Sequence, residues 1–235
     1  MAFNPNDPKY KPSSSQKVLP VVLLLDVSGS MRADNKIDSL YEATKKMIST
    51  FVDLELKETI IDIAIITFGA QVTLHTPMSS VKNVQNLSPF VAGGGTPLGS
   101  AFIMAKDMMD DYSILPKGKV YRPAVIVVSD GRPDTGWQKD LVEFETGDRA
   151  SKAQRFAVAI GSDRDEDMLA KFTKTKENVF YAEGAGDIAD KLEKISTHIS
   201  MRAAGTNDKN IPKADGATYD NNNASTKSDD DEYVW

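Results

Sequence analysis

The feature that most constrains the fold is a series of apolar runs that recur along the 235-residue chain without internal alternation. The runs span 18–26, 60–68, 122–130, 155–161 and 178–183. Continuous apolar runs of this length are typical of strands that are covered on both faces, as in a parallel sheet. A further segment, 71–76, alternates between apolar and polar residues and follows 60–68 after a short Gly-Ala link. It therefore predicts an antiparallel partner at one edge of the sheet.

Helical patterns lie between the predicted strands. Apolar residues recur at spacings of three and four over 37–51 and 98–112, and shorter patterns run over about 138–153, 165–173 and 186–201. Strand–helix alternation of this kind predicts an α/β fold in which right-handed crossovers place helices on both faces of the sheet. We expect a doubly wound, mostly parallel six-stranded sheet with one antiparallel edge strand, similar to a Rossmann-like architecture.

Three segments are predicted along the chain: a flexible N-terminal arm (1–16), one α/β domain (17–202) and an acidic polar tail (203–235). The arm has three prolines and no apolar run, so it lacks the apolar region of a signal peptide. The apolar stretch at 18–25 is far shorter than the roughly 20 residues of a membrane span. These features favour a protein that is soluble and cytoplasmic, with no membrane contact.

Composition excludes several classes of function. The chain contains no cysteine, so it has neither a thiolate zinc site nor a cysteine nucleophile, and a reducing compartment suits it. Its formal net charge is −6, whereas sequence-independent nucleic-acid binding needs a basic face. We therefore expect no nucleic-acid partner.

The tail holds most of the net charge, because residues 203–235 contain three Lys and seven Asp or Glu. Two interpretations remain open for it: a solubilising disordered terminus, or a docking peptide for a partner, a neighbouring copy or the chain's own domain. The docking interpretation rests on acidic side chains followed by apolar anchors. These candidate partner-binding residues are Asp229, Asp230, Asp231, Glu232, Tyr233, Val234 and Trp235.

Oxygen-bearing side chains follow two of the buried strands and precede one helix. In open α/β sheets, ligands bind at the carboxyl ends of the strands, an edge that we call the rim. Two carboxylates and three hydroxyls are expected to meet there, without nitrogen or sulfur donors. The candidate metal ligands are Asp26, Ser28, Ser30, Thr96 and Asp130.

Such a donor set suits a hard cation. Mg²⁺ prefers oxygen ligands in octahedral geometry, and Mn²⁺ accepts the same set. Five protein groups at most leave a coordination position open, at which a metal that faces only two carboxylates remains a strong Lewis acid. The sequence therefore predicts a device that captures an acidic side chain of a partner protein through the metal.

Simpler roles exist for the same residues. Thr96 precedes Pro97, a good helix N-cap followed by a first-turn proline, and Ser28 and Ser30 could cap the following helix. Arg132 either pairs with a partner at the rim or is a solvated loop charge. Asp134 is either a rim residue or a turn residue after a proline.

Catalysis is not expected. The two histidines, His75 and His198, have no partner at metal-ligand spacing, and neither a G-x-S-x-G elbow nor a phosphate-binding Gly-Lys loop occurs. The alternative from another class is a metal-dependent hydrolase, such as a phosphohydrolase, on the same scaffold. A third interpretation keeps the fold as a scaffold without a metal.

Three motifs in register resemble one known family. DVSGSM at 26–31 is similar to the D-x-S-x-S metal-ion-dependent adhesion motif of von Willebrand factor A (VWA) domains. GGGTPLG at 93–99 and VVSDGRPDTGW at 127–137 resemble that family's second and third metal loops, which supply Thr and Asp. The resemblance covers about 17–201 and is strongest to the bacterial tellurium-resistance type.

The resemblance implies that Asp26, Ser28, Ser30, Thr96 and Asp130 ligate a metal, in part through water. It also implies a mostly parallel six-stranded sheet with one antiparallel edge strand. Members of the tellurium-resistance group are typically intracellular and associate with kinases and phosphatases, so a stress-response or phospho-signalling adaptor is the expected setting.

Overall fold

The computed structural model describes residues 17–54, 59–84, 86–116, 118, 120–162 and 164–203. The predicted arm (1–16) lies outside the described residues, as do 204–235 of the predicted tail. The partner-binding role predicted for residues 229–235 therefore stays a prediction.

Six strands form one sheet in the described part of the chain. They are β1 (Lys17–Asp26), β2 (Thr59–Phe68), β3 (Val72–Ser80), β4 (Ala124–Ser129), β5 (Gln154–Ile160) and β6 (Val179–Ala182). Their order across the sheet is β3-β2-β1-β4-β5-β6. All neighbours pair in parallel except β2 and β3, which are antiparallel. The predicted fold class is confirmed, including the antiparallel strand at the edge.

Within the described residues, four α-helices connect strands and a fifth follows β6. They are α1 (Lys36–Leu54), α2 (Leu98–Asp110), α3 (Trp137–Phe144), α4 (Glu166–Thr173) and α5 (Ile188–Ala203). The pattern over 138–153 was wrong about length, because α3 ends at Phe144 and a 3-10 turn at Ala150–Lys152 follows. Gly147 lies between them, where an added Cβ would fall 2.5 Å from a carboxylate oxygen of Asp110.

The sheet separates two hydrophobic cores. On β1, Val21, Leu23 and Leu25 pack in the core that contains the apolar residues of α1 and α5. Val22 and Leu24 pack in the opposite core, with α2, α3 and α4. Because successive strand side chains point to opposite faces, a strand buried on both faces must be apolar throughout. This explains the continuous runs seen in the sequence.

Large side chains of α2 and α3 help to fill the second core. Trp137 is buried in the second core, as are Met108 and Met109, and Met104 packs against it. None of the helices in the described part of the chain has the length and apolar character needed to span a bilayer.

Candidate metal centre

The first loop of the site begins where β1 ends. The Asp26 side chain is fully buried, and its Oδ1 accepts a hydrogen bond from the Ser28 amide over 2.8 Å. The Ser28 and Ser30 hydroxyl oxygens lie 3.0 Å apart. Alternate residues of this loop therefore aim at one point, as the D-x-S-x-S spacing predicts.

The neighbouring strand β4 delivers the second carboxylate. The Ser30 hydroxyl donates to Oδ1 of Asp130 over 2.7 Å, which joins the loops after β1 and β4. The Ser129 hydroxyl donates to Oδ2 of Asp26 over 2.6 Å. Asp26, Ser28, Ser30 and Asp130 thus form one hydrogen-bonded cluster at the rim.

A lysine also reaches the cluster. Lys36 is the first residue of α1, and its Nζ lies 2.9 Å from Oδ2 of Asp130. The Asp130 side chain is only 1% exposed and that of Lys36 is 16% exposed. A cation is therefore already paired with one carboxylate of the site.

The glycine-rich loop at 93–97 packs against the loop after β1 through backbone contacts. The Gly29 amide donates to Gly94 O over 3.0 Å, and the Gly93 amide donates to Val27 O over 2.7 Å. Gly94 has a φ of 80°, and a Cβ there would lie 2.3 Å from the backbone of Ala70, so only glycine fits. The glycines of this segment let loops pack together beside Thr96.

Asp134 anchors the Thr96 loop. Its Oδ1 accepts the Thr96 amide over 3.1 Å, and its own amide donates to Thr96 O over 2.9 Å. Asp134 is exposed, so it is a rim residue with a positioning contact. Asp134 therefore does more than form a turn after Pro133, because it also holds the Thr96 backbone in place.

The capping interpretations of the hydroxyls are wrong in this structure. Helix α2 begins at Leu98 with Pro97 as its N-cap, so Thr96 lies one residue too early to cap it. Ser28 precedes the 3-10 segment Gly29–Asn35 without a side-chain capping bond. Within the described residues the Thr96 hydroxyl forms no hydrogen bond, although the residue is only 8% exposed. This oxygen is not one of the enclosed, unpartnered side-chain atoms of the described residues, so a ligand or water can reach it.

The donor set fits a small divalent cation. Two adjacent ligands of an octahedral Mg²⁺ ion with bonds of about 2.1 Å lie about 3.0 Å apart, and the Ser28 and Ser30 oxygens have that separation. Because Ser30 gives its hydrogen to Asp130 and accepts from Ser28, one of its two oxygen lone pairs stays available. Among the described residues, no group of three or more His, Asp or Glu could hold a metal. Metal binding here must therefore depend on hydroxyls.

Burial dominates the electrostatics of Asp26. It raises the pKa of this carboxyl from 3.8 to about 6, and the nearby Asp130 raises it slightly further. Hydrogen bonds from Ser129 and Ser28 oppose the shift. The ionised form is thus destabilised in the metal-free domain, and a bound cation would relieve that cost.

The remaining candidates lie around the cluster. Arg132 is exposed at the rim, and Arg32 donates from Nε to Ala92 O over 3.0 Å. His75 packs edge-on against Phe90, with the ring centroids 5.1 Å apart.

The second histidine, His198, packs against Phe156 in the same edge-on manner. The side-chain contacts of Ser28 and Ser30 go instead to each other and to Asp130. No serine–histidine pair therefore forms at this cluster.

Sequence reasoning missed Ser129 and Lys36. Ser129 could have been found, because the parallel register that pairs Leu25 with Val128 brings the next residues, Asp26 and Ser129, side by side. Lys36 carries no local signal, since a lysine at the start of an amphipathic helix is usually solvated.

These observations define an α/β domain with a hydroxyl- and carboxylate-lined site at the carboxyl edge of its parallel strands. Residues 21–132 match the von Willebrand factor type A domain family. The matched range runs from β1 to the loop after β4, so this part of the chain is similar to VWA domains.

One curated protein is similar to this chain in sequence. Chicken (Gallus gallus) matrilin-3 is 25% identical over 202 residues, which cover 81% of this chain and 43% of matrilin-3. The chain thus spans less than half the length of this curated relative.

Solved structures share the fold at low identity. The VWA structure from Catenulispora acidiphila has a TM-score of 0.61 at 17% identity, over 79% of this chain and 43% of that one. Proximal thread matrix protein 1 from the mussel byssus, with a zinc-occupied MIDAS motif, has a TM-score of 0.62 at 15% identity. It is matched over 77% of this chain and 48% of its own.

Proposed function

We propose that this chain is a metal-dependent protein-interaction module that captures an acidic side chain of a partner at the rim. The observation that carries the proposal is the convergence of Asp26, Ser28, Ser30 and Asp130 into one cluster, against which the loop of Thr96 packs through its backbone. Mg²⁺ is the proposed ion, and Mn²⁺ would suit the same oxygen donors.

Each residue has a distinct task in this mechanism. Ser28, Ser30 and Thr96 offer neutral hydroxyl oxygens, while Asp26 and Asp130 supply the negative charge. When bound, the ion would supply a Lewis-acidic position for an incoming carboxylate. Neutral hydroxyls leave the site short of negative charge, and this shortage selects an acidic partner over a neutral one.

We propose binding rather than catalysis. A hydrolase of this type usually needs a nucleophilic or basic group beside its metal carboxylate. Here the position two residues after Asp26 is Ser28, whose hydroxyl contacts Ser30, and the two histidines pack on phenylalanine rings. Incubation with phosphatase and nuclease substrates plus Mg²⁺ or Mn²⁺ tests this, and metal-dependent turnover would refute it.

The proposed setting is an intracellular adaptor in a tellurium-resistance-like stress response or in phospho-signalling, with a kinase or phosphatase as partner. The resemblance of VVSDGRPDTGW at 127–137 to the tellurium-resistance type supports this. Tail residues 229–235 are a second proposed ligand, since they combine acidic and apolar side chains. Deleting 226–235 should change partner capture or self-association, and no change in either would refute tail docking.

The test of the main proposal compares the wild-type chain with two variants. Calorimetric titration with MgCl₂ should show one site in the wild type and none in Asp26→Ala. Thr96→Ala should bind at least about tenfold more weakly. Thr197→Ala is the matched control, because its hydroxyl bonds only to Glu193 O on the exposed face of α5.

Partner capture completes the test. Wild-type chain on beads should retain partners in Mg²⁺ and release them in EDTA, and mass spectrometry identifies what is retained. Asp26→Ala should retain none of them in either buffer, while circular dichroism shows that its fold is intact. Retention that persists in EDTA and in both site variants would refute the proposal.

A further inference from the structure

The Lys36 ammonium is the one cation that the described structure places in direct contact with a candidate metal ligand. It lies 2.9 Å from Oδ2 of Asp130, whose Oδ1 accepts the Ser30 hydroxyl. Both oxygens of this buried carboxylate are therefore engaged, one by a hydroxyl of the site and one by a positive charge. An ion that the Ser30 oxygen coordinates would therefore lie beside the same carboxylate as this ammonium.

The local backbone is shaped to put the lysine there. The two residues before it, Asp34 and Asn35, adopt left-handed conformations with φ of 54° and 58°. Non-glycine residues rarely do so, and Asn and Asp tolerate it best. This turn at the end of the loop brings the first residue of α1 next to Asp130. Strained backbone of this kind is typical of functional sites.

Helix electrostatics oppose the same placement. A positive side chain in the first turn of a helix meets the positive end of the helix dipole, which is unfavourable. Asp38, in the same first turn, offsets this only at an exposed position. The pairing with Asp130 is the interaction in the structure that compensates Lys36 for its position.

We propose that Lys36 is a built-in counter-cation of the metal site, which neutralises Asp130 in the metal-free domain and lowers the affinity for the divalent ion. This inference rests on the proposed function. In the metal-free state it prevents two buried carboxylates from standing together uncompensated. On metal binding the same charge repels the ion, and a captured partner carboxylate restores the balance. Lys36 therefore couples metal affinity to the presence of an acidic ligand.

The experiment compares the wild-type full chain with Lys36→Met, which keeps the length of the side chain and removes its charge. Charges of +1 and +2 that lie about 5 Å apart repel each other even in water, and this repulsion weakens metal binding more than tenfold. Calorimetric titration with MgCl₂ should therefore show at least tenfold tighter binding by Lys36→Met. Lys36→Arg, which retains the charge, should stay within about threefold of the wild type.

A second measurement separates this role from a merely structural one. In EDTA, Lys36→Met should unfold at lower urea than the wild type, because Asp130 loses its ion pair. In saturating MgCl₂ this difference should shrink or reverse. The matched control is Lys46→Met, further along α1, because its partner Glu193 lies on α5 and both side chains are exposed. It should change neither the affinity nor its dependence on metal.

The outcomes are distinguishable. Equal or weaker Mg²⁺ binding by Lys36→Met overturns the inference and leaves the proposed function standing. Absence of Mg²⁺ binding in both the wild type and Lys36→Met overturns the proposed function together with the inference. Tighter binding by Lys36→Met, with lower stability in EDTA, supports both.

Discussion

Replacing Asp26 by Asn should stabilise the metal-free domain at neutral pH. The Asp26 side chain is fully buried, and its pKa is raised from 3.8 to about 6, chiefly by burial. A shift of this size corresponds to roughly 3 kcal/mol against the ionised carboxylate in the folded state. Asn preserves the shape, can accept from the Ser28 amide and can donate to the Ser129 hydroxyl. We therefore expect a gain of about 1–3 kcal/mol in the free energy of unfolding at pH 7.5.

The gain should depend on pH in a defined direction. Between pH 3.8 and about 6 the unfolded chain releases the Asp26 proton more readily than the folded chain. The free energy of unfolding of the wild type therefore falls, relative to Asp26→Asn, as pH rises through this window. Below it both states are protonated and the difference disappears. At pH 4.0 the pKa values of the unfolded and folded states predict that Asp26→Asn gains only about 0.6 kcal/mol in the free energy of unfolding.

Urea unfolding in EDTA, followed by far-ultraviolet circular dichroism, measures the gain in the free energy of unfolding at pH 4.0 and at pH 7.5. Asp38→Asn is the control, because Asp38 is an exposed acid in the first turn of α1. Addition of MgCl₂ at pH 7.5 should stabilise the wild type and leave Asp26→Asn unchanged. A less stable Asp26→Asn in EDTA at pH 7.5, or a gain equal at the two pH values, would refute the argument from the buried charge.

Other predictions concern the loops and the second core. Gly69→Ala should lose about 1–3 kcal/mol of stability, because the new Cβ would lie 2.6 Å from Val27 O and 2.7 Å from Gly93 O. It should also weaken Mg²⁺ binding, and calorimetry that shows unchanged stability and affinity would contradict the tight loop packing. Trp137→Ala should cost about 3–5 kcal/mol in urea unfolding, since Trp137 is buried in the second core. A loss below about 1 kcal/mol would place its ring outside the core.

The sheet could be predicted because burial on both faces requires apolar residues within each single strand, and such runs can be seen in the local sequence. Strands β1 and β4 are buried on both faces, so their residues must be apolar throughout, and each run ends in the carboxylate that begins a rim loop. The spacing of apolar residues therefore predicts the order of strands and helices. The end of each buried run predicts where Asp26 and Asp130 lie. The antiparallel strand β3 was visible because one of its faces remains polar.

The parts that sequence reasoning missed depend on contacts between distant segments. Lys36 contacts a residue 94 positions away, and no local pattern distinguishes it from a solvated lysine. After the early end of α3, the chain is held by Asp110, which accepts the amides of Asp148 and Arg149 from about 40 positions away. Thr96 looked like a helix cap because Thr-Pro is a good capping pair, but its loop is held instead by Asp134.

The central claim is that the five oxygen-bearing side chains at the rim hold one divalent ion. A crystal of the full chain grown or soaked in MnCl₂ tests it directly, because anomalous scattering locates manganese without reference to the protein atoms. We expect one strong peak within coordination distance of the Ser28, Ser30 and Thr96 hydroxyls, with Asp26 and Asp130 bound directly or through water. A fully occupied peak elsewhere, or none at this cluster in saturating Mn²⁺, would contradict it.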